Sequence, residues 1–537
     1  MPPATASFDY VVIGAGSAGC VLANRLSEDG RYTVLLLEAG PRDTYPWIHI
    51  PIGYAKTMFH PVVNWGFYTE PEPAMNGRKV YWPRGRTLGG SSAINGLISI
   101  RGQREDYDAW AAAGNTGWSY ADVLPWFKRL EHNVRGASEW HGADGPLWAS
   151  DIGAAHPLIE AMIAGAGELG IPANDDFNGA TQEGAGYYQL TTRNGRRCST
   201  AVAYLKPARA RRNLHVETNA HATRIVLENR RATGVVYRQR GTERTVGANR
   251  EVILAAGALQ SPQLLQLSGI GPPSLLQSLG IPVQHPLEGV GENLQDHLQA
   301  RAIFRCTQPI TTNDALRTLG GKLAMGIDYV FRRRGPMAIG INQGGIFARA
   351  MPGATRPDVQ FHFATLSSDM AGSPVHTFPA FTMSVCQLRP TSRGTVRIKS
   401  TNPLEPPAMQ PRYLSTPEDR ATIVAGIRLA RALAATHALR PYVENEYRPG
   451  PQVQSDDDLL EFVKNTGGTI FHPSGTTRMG PASDPGAVVD PELRVHGVER
   501  LRVIDCGIMP TLVSGNTNVP VVMIAEKTAA AILAGDR

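Results

Sequence analysis

Four residues near the start of the chain have the types and spacing of a binding device. Gly14, Gly16 and Gly19 follow a short apolar run at residues 10–13 and open a helix-like segment that continues to Leu26. A second apolar run at 33–37 ends in Glu38. Each glycine has its own mechanical role. Gly14 permits a tight turn, Gly16 lets backbone N–H groups approach a pyrophosphate, and Gly19 lets the helix pack closely on the strand. The helix N-terminus turns its positive dipole end toward the phosphates. Glu38 is spaced to accept hydrogen bonds from ribose hydroxyls, and a carboxylate there disfavours a 2′-phosphate, so NADP is the least expected ligand.

The same glycine spacing recurs at Gly165, Gly167 and Gly170, but there it follows the helix-like LIEAMIA and no strand. That copy reads as a glycine-rich helix end. Gly89, Gly90, Ser91 and Ser92 form either a backbone nest with hydroxyl donors, suited to phosphate or the edge of a flat ring, or a plain turn before a buried helix. Near the C-terminus Asn516, Thr517 and Asn518 precede a helical run whose Pro520 falls in the first turn, where a missing N–H is harmless. Three polar side chains therefore sit at a positive helix end. Asn518 is the better cap, which frees Asn516. His472, before Pro473, reads on its own as a packed imidazole.

These residues must be positioned by more than one domain, because 537 residues exceed what a single core holds. With 42% hydrophobic and 19% charged residues the composition is that of an ordinary globular protein. Residues 214–255 alternate apolar and polar with period 2, a β-meander returning to a buried strand, and GALQSPQLLQLSGIG then reads as glycine turn and helix. Between about 309 and 449 the texture changes to alternating runs (DVQFHFATL, FTMSVCQLRP, GTVRIKS) and a long helical stretch from Pro417. The expected fold class is α/β, α+β overall. A Rossmann-type dinucleotide domain with a parallel sheet and β-meander is built from 1–155, 206–308 and 456–537. A second domain, an antiparallel sheet backed by helices, is built from 156–205 and 309–455. His362, His376 and His437 in that second domain lack metal-ligand spacing and are expected to be satisfied structural histidines.

Fifty-three basic against 47 acidic residues give a net charge of +6, with neither a nucleic-acid motif nor a basic arm. The densest spots, 209–212 and 332–334, read as solvated faces before they read as contacts with an anionic membrane. Five scattered cysteines without a CxxC pair argue against a metal site or a disulfide framework and fit a reducing compartment. The first residues carry no basic and apolar leader pattern, and no run of 18 apolar residues occurs. The expected location is cytoplasmic, with peripheral contact at the inner membrane face as the variant.

Together, the fingerprint with Glu38-Ala39-Gly40, GRTLGGSSAIN at 85–95, GALQSPQLLQLSGIG at 257–271 and the HisPro…Asn pair near the C-terminus resemble the glucose-methanol-choline (GMC) flavin-dependent oxidoreductases, over essentially the whole chain. Within that family the chain is most similar to bacterial alcohol dehydrogenases acting on primary aliphatic alcohols, with choline dehydrogenase close behind. The resemblance implies FAD in an extended pose, its pyrophosphate on the Gly14 turn and its flavin ring between residues 89–98 and the C-terminal loops. The implied contacts are Ser17 and Ala18 beside the fingerprint glycines and Ala39 beside Glu38. Arg84, Gly89, Gly90, Ser92, Asn95, Gly96 and Leu97 follow along the inner segment, then Ala222 and Ala256, and Asp505, Cys506, Asn516 and Thr517 near the C-terminus. By position His472 resembles the family's catalytic base and Asn516 its partner. The residue that some members bond to the flavin falls at about Ile94, which cannot bond, so FAD is expected to be noncovalent. The implied reaction is oxidation of a primary alcohol to the aldehyde, with hydride transfer to flavin N5 and electrons passed to a quinone or artificial acceptor. The dipole of the C-terminal helix would favour the negative charge that follows. An oxygen-using oxidase or a choline dehydrogenase remains the alternative, and a flavin lyase or photoenzyme is disfavoured because it need not retain the histidine. HisProSerGlyThrThr departs from the HisProValGlyThrCys of near relatives, which bears on substrate preference.

Overall fold

The computed structural model describes residues 6–370 and 372–535. Its first sheet is assembled around β1 (Ser7–Ile13), buried from Tyr10 onward, and β2 (Val34–Glu38), buried throughout on both faces, as a parallel sheet between helical layers requires. β3 (Leu214–Thr218) lies outside β2, while β4 (Ala220–Glu228), β5 (Arg231–Gln239) and β6 (Thr242–Leu254) follow on the other side, in the order β3-β2-β1-β6-β5-β4. The long β6 serves two structures. Its first half closes the antiparallel meander, and its second half runs parallel to β1, with Val11 opposite Val252, and to the strand Leu501–Val503. The alternating run at 214–218 is therefore not part of the meander as expected: β3 pairs parallel with β2, Val216 opposite Leu36. Its alternation comes from an edge position, where most of its residues are only half-buried.

α1 (Ser17–Leu26) follows the fingerprint turn. Gly14 has φ +98°, and a Cβ on Gly19 would come within 1.8 Å of the Gly14 carbonyl oxygen, so the helix rests directly on the turn as the spacing predicts. α2 (Gly257–Leu267) leaves the end of β6 in the same way.

The second sheet is antiparallel throughout. β7 (Leu298–Cys306), β8 (Asn342–Ala348), β9 (Val359–Ala364), β10 (Ala380–Gln387) and β11 (Val443–Arg448) are ordered β11-β7-β10-β9-β8, with the strand Gly184–Tyr187 beside β8. β7 thus belongs to this sheet although it precedes the boundary expected at 308, and Gly468–Thr469 pairs with it from far along the chain. Period-2 alternation divides the faces. Ala300, Ala302, Phe361, Phe363, Met383 and Val385 enter an apolar core with α4 (Pro417–Ala435), whose Ile423, Ile427 and Leu433 are buried. Gln299, Arg301, His362, Thr382 and Ser384 look the other way, into a cavity under the sheet. α3 (Leu319–Arg332) lies beside that cavity, to which it contributes Lys322, Met325 and Gly326.

α5 (Asn518–Gly535) ends the described chain and packs on α1, where buried Glu526 accepts from Arg25 at 2.8 Å. It is long and apolar enough to cross a membrane by composition, with a mean hydropathy of 1.3, but most of it is buried in the dinucleotide-domain core. Pro520 stands in its first turn, and Asn518 accepts from the Ser17 hydroxyl at 2.8 Å.

Candidate active site

A cavity of about 960 Å³ lies between the two sheets. It is lined by Gly14, Gly16, Ser17, Ala18, Glu38 and Ala39 from the fingerprint turn, and by Ala222 and Ala256. Arg84, Gly90, Asn95, Gly96 and Leu97 continue its wall, with Asp505, Cys506, Asn516, Thr517 and His472 from the C-terminal part. Ser17 and Asn518, 501 positions apart in sequence, thus converge on one space, as α1 and α5 are brought side by side.

Three expected contacts lie elsewhere. Gly19 sits beneath the turn, where it lets the helix pack. Gly89 (φ +88°) donates its N–H to the Ala15 carbonyl at 2.7 Å, and Ser92 donates its hydroxyl to the Gly89 carbonyl at 2.6 Å while meeting Thr200 at 2.9 Å. The nest is therefore not open to a ligand at Gly89 and Ser92: residues 90–93 form one turn of 3₁₀ helix with the Ser92 hydroxyl tucked inside. That turn still frames the cavity through Gly90, whose Cβ, if present, would meet Gly16 Cα at 2.6 Å.

Glu38 is buried and its two oxygens accept from the Ala15 and Gly40 amides at 2.9 and 2.8 Å. Burial pushes its pKa up to about 7 while the two amides hold it down. Asp505 joins the end of Leu501–Val503 to α2 by accepting from the Gly257 N–H at 2.8 Å and the Ser261 hydroxyl at 2.6 Å. Arg84 donates to the Phe471 carbonyl at 2.6 Å and so fixes the backbone just before His472.

His472 is buried, and its two ring nitrogens face opposite ways. Nδ1 lies 2.9 Å from Nδ1 of His297, and Nε2 lies 3.3 Å from Asn516 Nδ2. His297 in turn places its Nε2 2.9 Å from the Leu388 carbonyl. A carbonyl only accepts, so His297 carries its hydrogen on Nε2. Burial takes the pKa of His297 down to about 4, leaving its Nδ1 a bare acceptor that must receive the Nδ1–H of His472. Burial likewise drives the pKa of His472 well below its ordinary 6.5, helped by His297, His362 and Arg84. Nε2 of His472 is therefore unprotonated at the cavity wall, its lone pair accepting a long hydrogen bond from Asn516 at 3.3 Å. Gln360 donates to Asn516 Oδ1 at 3.1 Å, which turns the Asn516 amide N–H groups toward the imidazole. One N–H reaches His472 and the second remains for an oxygen.

The backbone of His472 is held as tightly. Its N–H donates to Asp296 Oδ1 at 2.7 Å, and Asp296 also accepts from Thr469 at 2.5 Å and from the Tyr413 hydroxyl. Asp296 and His297 escape a reading of the sequence alone, although an Asp-His pair just before a strand (NLQDHLQ) is a visible signal. His362 corrects an expectation. It is not a satisfied structural histidine: it lines the cavity, its buried Nδ1 has no partner among the described residues, and burial takes its pKa down to about 3. His376 is held by Ser367 and Asp369 as a structural histidine would be, and His437 is exposed.

The family model of the GMC oxidoreductase N-terminal domain matches residues 8–299, and that of the C-terminal domain matches 390–525. The chain belongs to the GMC oxidoreductases. It is 44% identical over 529 residues to an "Alcohol dehydrogenase [acceptor]" of Pseudomonas putida, covering 98% of this chain and 96% of that one. It is also 44% identical to the mitochondrial choline dehydrogenase of Mus musculus, covering 97% of this chain and 89% of the relative. Among solved structures, pyridoxine 4-oxidase from Mesorbium loti superposes with a TM-score of 0.89 at 31% identity over 98% and 99% of the two chains. Formate oxidase from Aspergillus oryzae RIB40 superposes with a TM-score of 0.93 at 26% identity, over 99% and 98%. FAD is the cofactor of this GMC oxidoreductase, and its residues fit that group. Gly16 and Gly96 leave the wall open where a side chain would project, and Glu38 stands at the ribose position of the fingerprint.

Proposed function

We propose that this enzyme oxidises a primary alcohol to the aldehyde and passes the electrons to a quinone-like acceptor rather than to oxygen. The observation that carries the reading is the His297–His472 hydrogen bond, which leaves His472 Nε2 unprotonated next to a free Asn516 N–H. Bound FAD supplies the hydride acceptor. A free alkoxide is too costly near neutral pH, so the substrate hydroxyl needs a positioned base, and His472 Nε2 takes that proton. Asn516 donates to the same oxygen as negative charge grows on it, an interaction that strengthens toward the transition state. His297, outside the cavity, holds the imidazole in the competent tautomer. FAD is held without a covalent link, Ile94 being the residue at the bonding position.

The cavity wall supports a neutral alcohol over choline. Its cationic side chains are Arg84, Lys56, Arg301 and Lys322, and its carboxylates among the described residues are Glu38 and Asp505, both committed to backbone amides. A quaternary ammonium would meet like charge with no free carboxylate to compensate it, leaving only the aromatic rings of Trp47, Tyr54, Phe59, Trp65 and Phe471 on the wall to attract it. The resemblance to an acceptor-dependent alcohol dehydrogenase supports the choice of acceptor. The test is anaerobic bleaching of the flavin by a panel of alkanols and choline, followed by readmission of air. Fast bleaching by a medium-chain alkanol, slow bleaching by choline and slow reoxidation in air are expected. Equal kcat/KM for choline contradicts the substrate reading, and peroxide formed as fast as dye is reduced makes the enzyme an oxidase.

A further inference from the structure

α3 wears its amphipathicity outward. Leu319, Leu323, Ile327 and Val330 recur at helical spacing and, with Phe331, are all exposed, Leu319 by 85% and Phe331 by 80%. The opposite side holds buried Tyr329 and cavity-lining Met325. An ordinary surface helix buries such a stripe. Here five large apolar side chains stand in water on one 14-residue helix, which marks an interaction face.

The charge around the stripe identifies its partner. Arg317, Lys322, Arg332, Arg333 and Arg334 flank it, against Asp314 and Asp328. Asp314 is committed to capping Thr311, and Asp328 lies 3.6 Å from Arg332. The run 332–334, an ordinary solvated face in the sequence, thus stands at the end of an exposed apolar stripe. The cavity opens beside it. The wall residues that are themselves exposed are Ala55, Lys56, Phe59, Lys322 and Gly372, which belong to Tyr54–Thr57 and the turn after it, to α3, and to the loop whose Met370 is also exposed.

We propose that α3 docks this enzyme on an anionic lipid bilayer, its apolar face entering the headgroup–acyl boundary, its arginines meeting lipid phosphates, and the cavity mouth turned to the membrane. Helices with an apolar face and flanking basic residues bind in this way, and anionic lipid adds to the attraction of each cation. A second copy of the chain would bring the same excess of cations against the patch, whereas an anionic surface neutralises it. The proposal does not depend on which alcohol is oxidised, although it brings the mouth to a phase where a lipid-soluble acceptor dissolves.

The test is flotation of the full-length, FAD-loaded protein with phosphatidylcholine vesicles and with mixed phosphatidylcholine–phosphatidylglycerol vesicles. Wild type is expected to float with the mixed vesicles and much less with phosphatidylcholine alone. The double variant Leu323→Ser/Phe331→Ser should lose about tenfold or more in partitioning, since each buried methylene counts toward insertion, while turnover with a soluble dye stays normal. Replacing Arg332, Arg333 and Arg334 by Gln should remove the preference for the mixed vesicles. The proposal is overturned if wild type stays in the soluble fraction with both vesicles, or if Leu323→Ser/Phe331→Ser floats like wild type. A concentration-dependent dimer in sedimentation that this variant splits also overturns it, giving the face to a second copy.

Discussion

His297 Nδ1 and His472 Nδ1 stand 2.9 Å apart, and the Leu388 carbonyl on the far side of His297 decides which of them carries the hydrogen. The chain of three groups has one consistent arrangement when both rings are neutral. It ends with a bare Nε2 on His472 at the cavity, 3.3 Å from Asn516 Nδ2. The proposed base is thus selected by a residue that never meets the substrate.

The depressed pKa of His472 sets the expected pH dependence. The competent form is the neutral one, and because burial lowers the pKa below 6.5, that form persists as the pH falls through the ordinary histidine range. The rate constant for anaerobic flavin reduction should therefore stay flat from about pH 8 to about pH 6. A decline centred at 6.5 or above contradicts the tautomer argument.

His297→Phe removes the acceptor for the His472 Nδ1–H without touching the cavity wall. Flavin reduction should slow by roughly 10²-fold, the lower end of what a positioned base contributes, with flavin content unchanged. Stopped-flow reduction at the wild-type rate would show that His297 does not hold the base.

Gly90→Ala tests how the fingerprint turn is framed. The new Cβ would lie 2.6 Å from Gly16 Cα, at a φ of +49° that side chains rarely adopt. The strain should cost about 1–3 kcal/mol, seen as a lower Tm and a reduced flavin-to-protein absorbance ratio. Unchanged values for both would mean the two loops do not support each other.

If FAD is held noncovalently as proposed, with buried, apolar Ile94 at about the position where the resemblance places a covalent link, wild type should be yellow and release intact FAD into the supernatant on acid or heat denaturation. Flavin that stays with the precipitate contradicts this.

Local spacing carries what is legible in the sequence. The turn at Gly14, Gly16 and Gly19 and the acid at Glu38 lie within one βαβ unit, so their geometry follows from neighbours. His472 and Asn516 are reached only through resemblance. His297 lies 175 residues before His472, and only the ladder between β7 and Gly468–Thr469, Leu298 opposite Thr469, brings the two rings together. His362 departs from expectation because alternation in β9 reveals two faces without saying which one meets the cavity. Ser92 departs from it because a hydroxyl in a glycine-rich turn can point either way, and Thr200, distant in sequence, draws it inward.

The most direct test of the central claim is stopped-flow reduction of His472→Ala by a primary alcohol without oxygen. Nothing in the fingerprint turn depends on the imidazole, so the variant should hold FAD with a near-normal spectrum and be reduced on the order of 10²- to 10⁴-fold more slowly than wild type. Asn516→Ala, losing one hydrogen bond to the developing charge, should slow by roughly 10²-fold. A His472→Ala protein that keeps its flavin and is reduced at the wild-type rate would contradict the account and send the search for the base elsewhere.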